Sequence, residues 1–256
     1  MNMHGNKGTI CIAGKNQCAI DSLKFINDNY SKLYKIIALV NPSDEGRDYW
    51  QYSFKKFAKK NNINIVKIND IYKIRNLYFF SLEYEKIIDT KKFYSKKLYN
   101  IHFSLLPKYR GCHTNFFQIF NGEKFSGVTL HQINNGIDTG DIISQHRFKI
   151  PINATAYENY LKLMKYAVIL FKKNIKKILN NNYFSKKQNL SKGSYYSRSS
   201  VNYSKLSTIK KLDNSISTHN LIRSLIFPPL QLPKYQKKFI IRSVFRNKKI
   251  QLKFKQ

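Results

Sequence analysis

Residues 99–143 read YNIHFSLLPKYRGCHTNFFQIFNGEKFSGVTLHQINNGIDTGDII, and most of the chemistry that the sequence suggests lies here. The stretch holds two polar clusters, Asn100-Ile-His102 and Gly136-Ile-Asp138-Thr-Gly140-Asp141, each bordered by apolar runs of strand character. Side chains two residues apart on an extended segment point the same way. We therefore expect Asn100 and His102 to share one side of a cleft, with a carboxylate of the second cluster orienting the imidazole. Such a trio can move an acyl group between two bound molecules without a Ser or Cys nucleophile.

The N-terminal half shows the pattern of a doubly wound sheet. Thr9–Gly14 is a short apolar run closed by Gly, typical of a buried parallel strand, and a helix over 19–30 and a strand over 36–40 follow. Leu77–Leu82 is a further buried strand. Strand, helix and strand in this order imply right-handed crossovers and a doubly wound, mostly parallel α/β sheet. Gly14 alone is no GxGxxG fingerprint, so no nicotinamide cofactor is inferred.

The remainder of the chain divides into two predicted parts. We expect a catalytic domain over 1–180 and, over 181–256, a linker with a small C-terminal subdomain of one helix and a hairpin. The polar composition of 180–192 predicts a weakly structured linker. The apolar spacings further predict strands over 63–68, 125–133 and 142–150, helices over 114–121 and 155–179, and hairpin strands over 239–244 and 249–254.

Composition limits the class of protein. The 256 residues are enough for one large domain, and 18 Tyr and 18 Phe can fill its core. Three cysteines, Cys11, Cys18 and Cys112, make an odd number without CxxC spacing, which argues against a disulfide framework or a zinc site. No apolar run is long enough to span a bilayer and no secretory pattern opens the chain, so we expect a cytoplasmic protein without a metal.

The formal charge of +32 has two interpretations. A basic surface can be the electrostatic footprint of nucleic acid or another polyanion. Here Lys, Asn, Ile and Tyr are all heavily used, and the lysines are spread along the whole chain. We therefore favour composition bias, with some attraction for phosphate-bearing substrates, over nucleic acid as a partner.

The stretch 99–143 resembles the folate-dependent formyltransferases. Their pattern is Asn-x-His-x-Ser-x-Leu-Pro-x-Tyr-Arg-Gly, then Gly-Val-Thr-x-His, then Asp-x-Gly-x-Ile. The resemblance covers roughly residues 8–150 well and implies a Rossmann-like core with 10-formyltetrahydrofolate as co-substrate. This chain matches at Asn100, His102, Ser104, Leu106, Pro107, Tyr109, Arg110, Gly111, Gly127, Val128, Thr129, His131, Asp138, Gly140 and Ile142.

The resemblance implies a role for each member of the catalytic trio. Asn100 would donate its amide N–H to the developing oxyanion. His102 would accept the proton of the attacking amine or assist the oxyanion as a donor. Asp138 would hold the imidazole in its useful tautomer. His131 lies on an apolar alternating strand, and we expect it to be a satisfied core histidine.

The same resemblance implies two binding sets, and two of their members have open alternatives. Arg110 can bind a carboxylate or phosphate, or form a structural ion pair with Asp141 or Glu123. Trp50 can stack on a substrate or pack in the core. The expected folate contacts are Ser81, Leu82, Glu83, Leu105, Leu106, Pro107, Arg110, Gly111, Thr139, Gly140 and Asp141, and the expected substrate contacts are Trp50, Gln51, Lys55, Ser104, Tyr109, Tyr195, Arg198 and Phe227.

One departure from the family pattern concerns the acceptor. Many members, including the initiator-tRNA enzymes, have Arg-Gly-x-x-Pro where this chain has Arg110-Gly111-Cys112-His113-Thr114. The Thr form resembles members that formylate amino sugars on nucleoside diphosphates, and the initiator-tRNA enzymes also carry a larger C-terminal barrel. We therefore expect N-formylation of a dTDP-4-amino- or dTDP-3-amino-dideoxyhexose for surface polysaccharide such as lipopolysaccharide O-antigen. The alternatives are methionyl-tRNA formylation and an inactive nucleic-acid-binding relative. Whether the protein forms a homodimer stays open.

Overall fold

Two fully buried strands, Thr9–Gly14 and Leu77–Leu82, form the centre of the main sheet. Their mostly apolar sequences suit strands covered on both faces. The computed structural model describes residues 7–255. In chain order the first part contains β1 (Thr9–Gly14), α1 (Asn16–Tyr30), β2 (Lys35–Val40), α2 (Phe54–Lys60), β3 (Asn64–Ile65), α3 (Ile68–Ile71), β4 (Leu77–Leu82), β5 (Leu98–His102), β6 (Arg110–Gly111), α4 (Thr114–Phe120), β7 (Phe125–Gln132), β8 (Ile142–Lys149) and α5 (Ala156–Leu179).

The main sheet has seven strands in the order β3-β2-β1-β4-β5-β7-β8. The first five run parallel, and β7 and β8 are antiparallel additions at one edge. The strand order reverses between β1 and β4, which is where open α/β sheets form a ligand crevice at the carboxyl ends of the strands. The prediction of a doubly wound, mostly parallel α/β sheet is confirmed.

Hydrophobic layers cover both faces of this sheet. On one face α1, α2 and α5 enclose a large core in which Phe171 of α5 meets Phe80 of β4 edge to face at 5.2 Å. Full burial of a Phe side chain contributes about 2–3 kcal/mol. Residues of α3 and the chain after β4, including Ile71 and Phe93, cover the other face. The position of β5 between these layers fixes the direction of its side chains.

The C-terminal extension packs on α4 and the first turn of α5, where Tyr157 N donates to Ile226 O and Glu158 pairs with Arg242. Phe116 and Phe117 of α4 share an apolar cluster with Ile222 and Leu225 of the extension. The boundary at residue 180 stays a prediction, and residues 1–6 and 256 of the two predicted parts lie outside the described residues. The extension contains β9 (Tyr195–Tyr196), α6 (Tyr203–Leu206), α7 (Ile216–Leu225), β10 (Lys234–Tyr235), β11 (Lys238–Arg246) and β12 (Lys249–Phe254), the last three forming one antiparallel sheet.

Two local predictions were wrong. The strand expected over 63–68 is only Asn64–Ile65, because the Asp70 carboxylate accepts from Lys67 N at 2.8 Å and starts α3. The segment 180–192 is not weakly structured. Lys186 exchanges two backbone hydrogen bonds of 2.8 Å with Ile142, so the chain after α5 returns to the edge of the main sheet.

Candidate active site

Strand β5 brings Asn100 and His102 to the same face of the sheet, as their spacing predicts. Asp138, in the turn between β7 and β8, reaches both of them. Asn100 Nδ2 donates to Asp138 Oδ1 at 3.2 Å, and His102 Nδ1 lies 3.4 Å from Asp138 Oδ2. The three side chains that the sequence singles out as catalytic therefore converge in space.

His131 is a fourth member of this group. It lies directly across from Asn100 in the β5–β7 ladder and is 2% exposed. Its Nε2 is 3.1 Å from Asn100 Nδ2 and 3.5 Å from Asp138 Oδ1, while Nδ1 contacts Gln132 O at 2.7 Å. His131 is a satisfied buried histidine, as expected, but its partners are the candidate catalytic residues. We call Asn100, His102, His131 and Asp138 the Asp138 cluster.

The carboxylate of Asp138 is held in its charged form. Burial by itself raises the pKa of Asp138, but the charge of His102, the hydrogen bond and charge of His131 and the Gly111 N–H at 2.8 Å together outweigh it. The pKa of Asp138 therefore lies well below its usual value, and the group is anionic at neutral pH. Asp138 also adopts a left-handed φ of 53°, a conformation that costs about 1–2 kcal/mol for a residue other than Gly.

The imidazole of His102 is held from two sides. Its Nε2 lies 2.6 Å from the backbone oxygen of Tyr109, opposite the Asp138 carboxylate. Both ring nitrogens thus face acceptor atoms, an environment that suits a two-sided hydrogen-bond donor. Receiving a proton from a substrate at Nε2 requires release of the Tyr109 contact.

The loop 103–111 folds back over the face that carries the Asp138 cluster. Thr129 Oγ1 accepts from Leu106 N at 3.1 Å and donates to Ser104 O at 2.6 Å, which fixes the loop on β7; the Leu106-Pro107 bond is cis. Gly111 has φ 87°, and a Cβ there would lie 2.2 Å from Tyr196 O. Only glycine therefore fits where the loop turns its N–H toward Asp138.

Arg110 forms no ion pair with another residue in the range 7–255. Glu123 instead contacts Lys108 Nζ at 3.4 Å and Tyr109 OH at 2.9 Å, and Asp141 forms no salt bridge with any described residue. The Nε of Arg110 is buried without a hydrogen-bond partner among residues 7–255. A buried, unpartnered guanidinium nitrogen fits a site for a carboxylate, so the structural ion-pair alternative is not found.

A second polar group lies at the β1–β4 crevice. Tyr160 OH donates to Glu83 Oε1 at 2.8 Å, Gln51 Nε2 donates to Tyr160 OH at 2.9 Å, and Asn16 Nδ2 lies 3.4 Å from Glu83 Oε2. Burial raises the pKa of Glu83, and the Tyr160 hydrogen bond and the charge of Lys15 partly oppose this. We call Asn16, Gln51, Glu83 and Tyr160 the Glu83 cluster. It connects Glu83, a predicted folate contact, to Gln51, a predicted substrate contact.

Aromatic rings surround the Glu83 cluster. Trp50 meets Phe227 at 5.5 Å, Tyr160 at 6.1 Å and Tyr157 at 6.4 Å between ring centroids. The Trp50 side chain is 38% exposed, so it lines an open aromatic wall and is not a core residue. Phe103, directly after His102, contacts Tyr160 at 6.0 Å, which makes the wall continuous with the Asp138 cluster.

In the part of the chain that the structure describes, the other predicted substrate residues make no hydrogen bond or ring contact with this wall. The hydroxyl of Ser104 is buried and donates to Lys108 O, and the hydroxyl of Tyr109 points to Glu123, so both have structural partners. Lys55 anchors its backbone N–H on Asp44. Tyr195 and Arg198 are exposed beside β6, on the segment that follows the linker.

The predicted folate contacts border the Asp138 cluster from two directions. Ser81 is paired with Asn100 across β4 and β5, and Leu82 ends β4 beside the crevice. Thr139 Oγ1 closes the following turn by donating to Asn134 Oδ1 at 2.7 Å. A Cβ at Gly140 would lie 1.9 Å from Gln132 O, so this turn sits directly on the end of β7.

Within residues 7–255 no group of three or more His, Cys, Asp or Glu is arranged to hold a metal ion. In the same range no helix combines the length and the apolar character that a membrane span requires.

Comparison with known proteins gives a consistent picture. A family model described as formyl transferase matches residues 79–174. The solved structure of WlaRD, a sugar 3N-formyl transferase in the presence of dTDP and 5-N-formyl-THF, is 46% identical, with TM-score 0.88, 95% of this chain and 88% of that chain covered. An N-formyltransferase from Helicobacter canadensis in complex with folinic acid and dTDP-3-aminofucose is 43% identical, with TM-score 0.86 and coverages of 92% and 87%.

Curated relatives include proteins with a different acceptor. The methionyl-tRNA formyltransferase of Clostridioides difficile strain 630 is 30% identical over 213 residues, which is 79% of this chain and 68% of that protein. The chain spans less than half of the length of several other curated relatives, 26% of one and 43% of three others.

Proposed function

Because the chain belongs to the formyltransferase family, we propose that it transfers a formyl group from 10-formyltetrahydrofolate to the amino group of a dTDP-linked amino-dideoxyhexose. Of the two isomers expected from the sequence, we propose the 3-amino sugar. Two relatives with 43–46% identity support this choice, since one is described as a sugar 3N-formyl transferase and the other is in complex with dTDP-3-aminofucose.

The convergence of Asn100, His102 and Asp138 carries the proposal. Formyl transfer forms a bond from the sugar nitrogen to the formyl carbon and breaks the bond from that carbon to the folate nitrogen. The sugar nitrogen loses a proton and the departing folate nitrogen takes one up. The Asn100 amide can stabilise the developing oxyanion, an effect worth roughly 3–4 kcal/mol. His102, held by the anionic Asp138, is the group that can take the proton or share it with the oxyanion.

The residues present also fit the two substrates. The buried, unpartnered Nε of Arg110 suits the carboxylates of the folate co-substrate. A sugar nucleotide needs a flat apolar surface for its base and hydrogen-bond partners for its hydroxyls. The exposed ring of Trp50 with Phe227, next to the Glu83 cluster, supplies both kinds of surface.

Methionyl-tRNA formylation is the second candidate. It is favoured by the Clostridioides difficile relative and by the formal charge of +32. The sugar-modifying relatives weigh against methionyl-tRNA formylation, because their identity to this chain and their coverage are higher. The intact Asp138 cluster weighs against an inactive nucleic-acid-binding relative.

A panel assay tests the proposal. Purified protein with 10-formyltetrahydrofolate is offered dTDP-3-amino- and dTDP-4-amino-dideoxyhexoses and charged initiator tRNA, and products are followed by mass spectrometry. We expect the mass of one formyl group on the 3-amino sugar and none on tRNA. Asn100→Ala and His102→Ala should each lower turnover by about two orders of magnitude or more. Formylation of tRNA alone would replace the proposal with the second candidate.

A further inference from the structure

The segment 183–196, which follows α5, holds both loops of the candidate active site. The Tyr183 hydroxyl lies 3.1 Å from that of Tyr99 on β5. Further along, Ser194 accepts twice from the loop 103–111: its backbone oxygen from Arg110 N at 2.9 Å and its Oγ from Tyr109 N at 2.8 Å. The segment therefore fixes the loop whose carbonyl contacts His102.

Gln188 binds the second loop. Its Nε2 donates to Asp138 O at 2.9 Å and to Gly140 O at 2.7 Å. Both partners are carbonyl oxygens, which can only accept, so the amide orientation with –NH2 toward the turn is required by chemistry. One side chain from outside the turn thus bridges the backbone on both sides of Thr139.

The turn needs such a support, because Asp138 is in the left-handed region at φ 53°. Residues other than Gly persist there only when surrounding contacts determine the conformation. The Asp138 carboxylate is held at 2.8 Å by Gly111 N and meets His102 and Asn100 at 3.4 and 3.2 Å. A small relaxation of the backbone would move the carboxylate away from these partners.

We propose that Gln188 is a positioning residue for formyl transfer: by clamping the carbonyls of Asp138 and Gly140 it keeps the Asp138 carboxylate in line with His102. This inference rests on the proposed function. Gln188 touches backbone of the turn and no reacting atom, so its effect on the reaction passes through Asp138. Loss of the clamp is expected to lower kcat with little change in KM for the sugar nucleotide.

Four variants separate the clamp from general packing. Gln188→Met keeps the length of the side chain without its donors, and we expect roughly a ten- to hundredfold loss of kcat from two broken hydrogen bonds. Gln188→Glu keeps the shape of the side chain but places a carboxylate oxygen against the two carbonyl oxygens, and all of these atoms are acceptors. The loss of kcat should therefore be larger than in Gln188→Met. Gln188→Lys restores donors and should exceed Gln188→Met in activity. Lys187→Met, an exposed neighbour, is the matched control and should match the wild type.

A double-mutant cycle decides whether Gln188 acts through Asp138. In the Asp138→Asn background, Gln188→Met should cost less than about threefold in kcat, because the interaction it supports is already lost. Losses that multiply in the double variant, or activity of Gln188→Met within twofold of the wild type, would overturn the proposal. Amide hydrogen exchange over 138–141 is a second readout that does not use turnover. It should accelerate in Gln188→Met while exchange in the core strands β1 and β4 stays close to that of the wild type, and unchanged exchange over 138–141 would equally overturn the proposal.

This design also separates the inference from the proposed function. A wild-type protein that formylates none of the acceptors contradicts the proposed function, while hydrogen exchange still tests the clamp. A wild-type protein that is active, with Gln188 variants equally active, contradicts the clamp alone.

Discussion

Replacement of Asp138 by Asn removes the charge from the centre of the Asp138 cluster. The carboxylate, 13% exposed, accepts from Gly111 N at 2.8 Å and faces His102 Nδ1 at 3.4 Å. At an effective dielectric constant of about 20, two unit charges 3.4 Å apart interact by about 5 kcal/mol. This value is the upper limit for the interaction energy that is lost when Asp138 loses its charge. A hydrogen bond to a charged group contributes about 1.5–3 kcal/mol, and Asn keeps one carbonyl oxygen as an acceptor.

We therefore expect Asp138→Asn to raise the barrier by about 3–4 kcal/mol, which is a loss of about two to three orders of magnitude in kcat. The KM for the sugar nucleotide should stay close to that of the wild type, because the carboxylate contacts no part of the predicted binding wall at Trp50. Initial rates of tetrahydrofolate release, with product confirmed by mass spectrometry, measure both constants.

The control is Asp28→Asn, the same change of charge on an exposed position near the far end of α1. It should leave kcat within twofold of the wild type, and circular dichroism should show both variants folded. If Asp138→Asn keeps kcat within tenfold of the wild type, the assignment of Asp138 as the group that holds His102 is refuted.

Three further predictions concern other parts of the chain. Glu83→Gln should raise Tm at pH 7.5, because the pKa of the Glu83 carboxyl is raised in the folded chain. The stability that such a carboxyl contributes is present below about pH 4.5 and is lost as the pH rises through the folded pKa. The same variant should raise the KM for the sugar nucleotide. Trp50→Ala should raise that KM several-fold and leave the KM for the folate unchanged, in steady-state kinetics. Burial lowers the pKa of His219, so the free energy of unfolding should decrease as the pH falls below about 6.5, and His219→Gln should flatten this dependence in urea titrations.

Each of these three predictions has an experimental outcome that would contradict it. A lower Tm for Glu83→Gln at pH 7.5 would mean that the ionised carboxyl stabilises the crevice. Equal changes in both KM values for Trp50→Ala would remove Trp50 from the nucleotide site. A wild-type protein whose stability is independent of pH between 5 and 7 would show that His219 does not resist protonation in the folded chain.

The sequence predicted the fold well where burial alone specifies an element. The apolar runs of β1 and β4 and the 3.6-residue periodicity of α5 match the structure closely. Strand β3 is shorter than predicted because the Asp70 side chain competes for the backbone at Lys67, a local contact that periodicity does not record.

The sequence predicted the central residues of the site but missed the residues that hold them in place. The two-residue spacing of Asn100 and His102 gives their common face, whereas the closeness of His131 depends on the β5–β7 register. Tyr160 follows the apolar period of α5, yet its hydroxyl donates to Glu83. Gln188 lies in a polar segment, and composition carries no information about which backbone groups such a segment binds.

The central claim is formyl transfer to the 3-amino group of a dTDP-linked sugar by the Asp138 cluster. Its most direct test is kcat/KM for dTDP-3-amino- and dTDP-4-amino-dideoxyhexose measured in competition, with the formylated nitrogen located by NMR. We predict formylation at the 3-amino nitrogen, a preference of at least about tenfold, equivalent to about 1.4 kcal/mol, and loss of product with Asn100→Ala. Equal or reversed preference, or product formed equally well by the Asn100→Ala variant, would contradict the account.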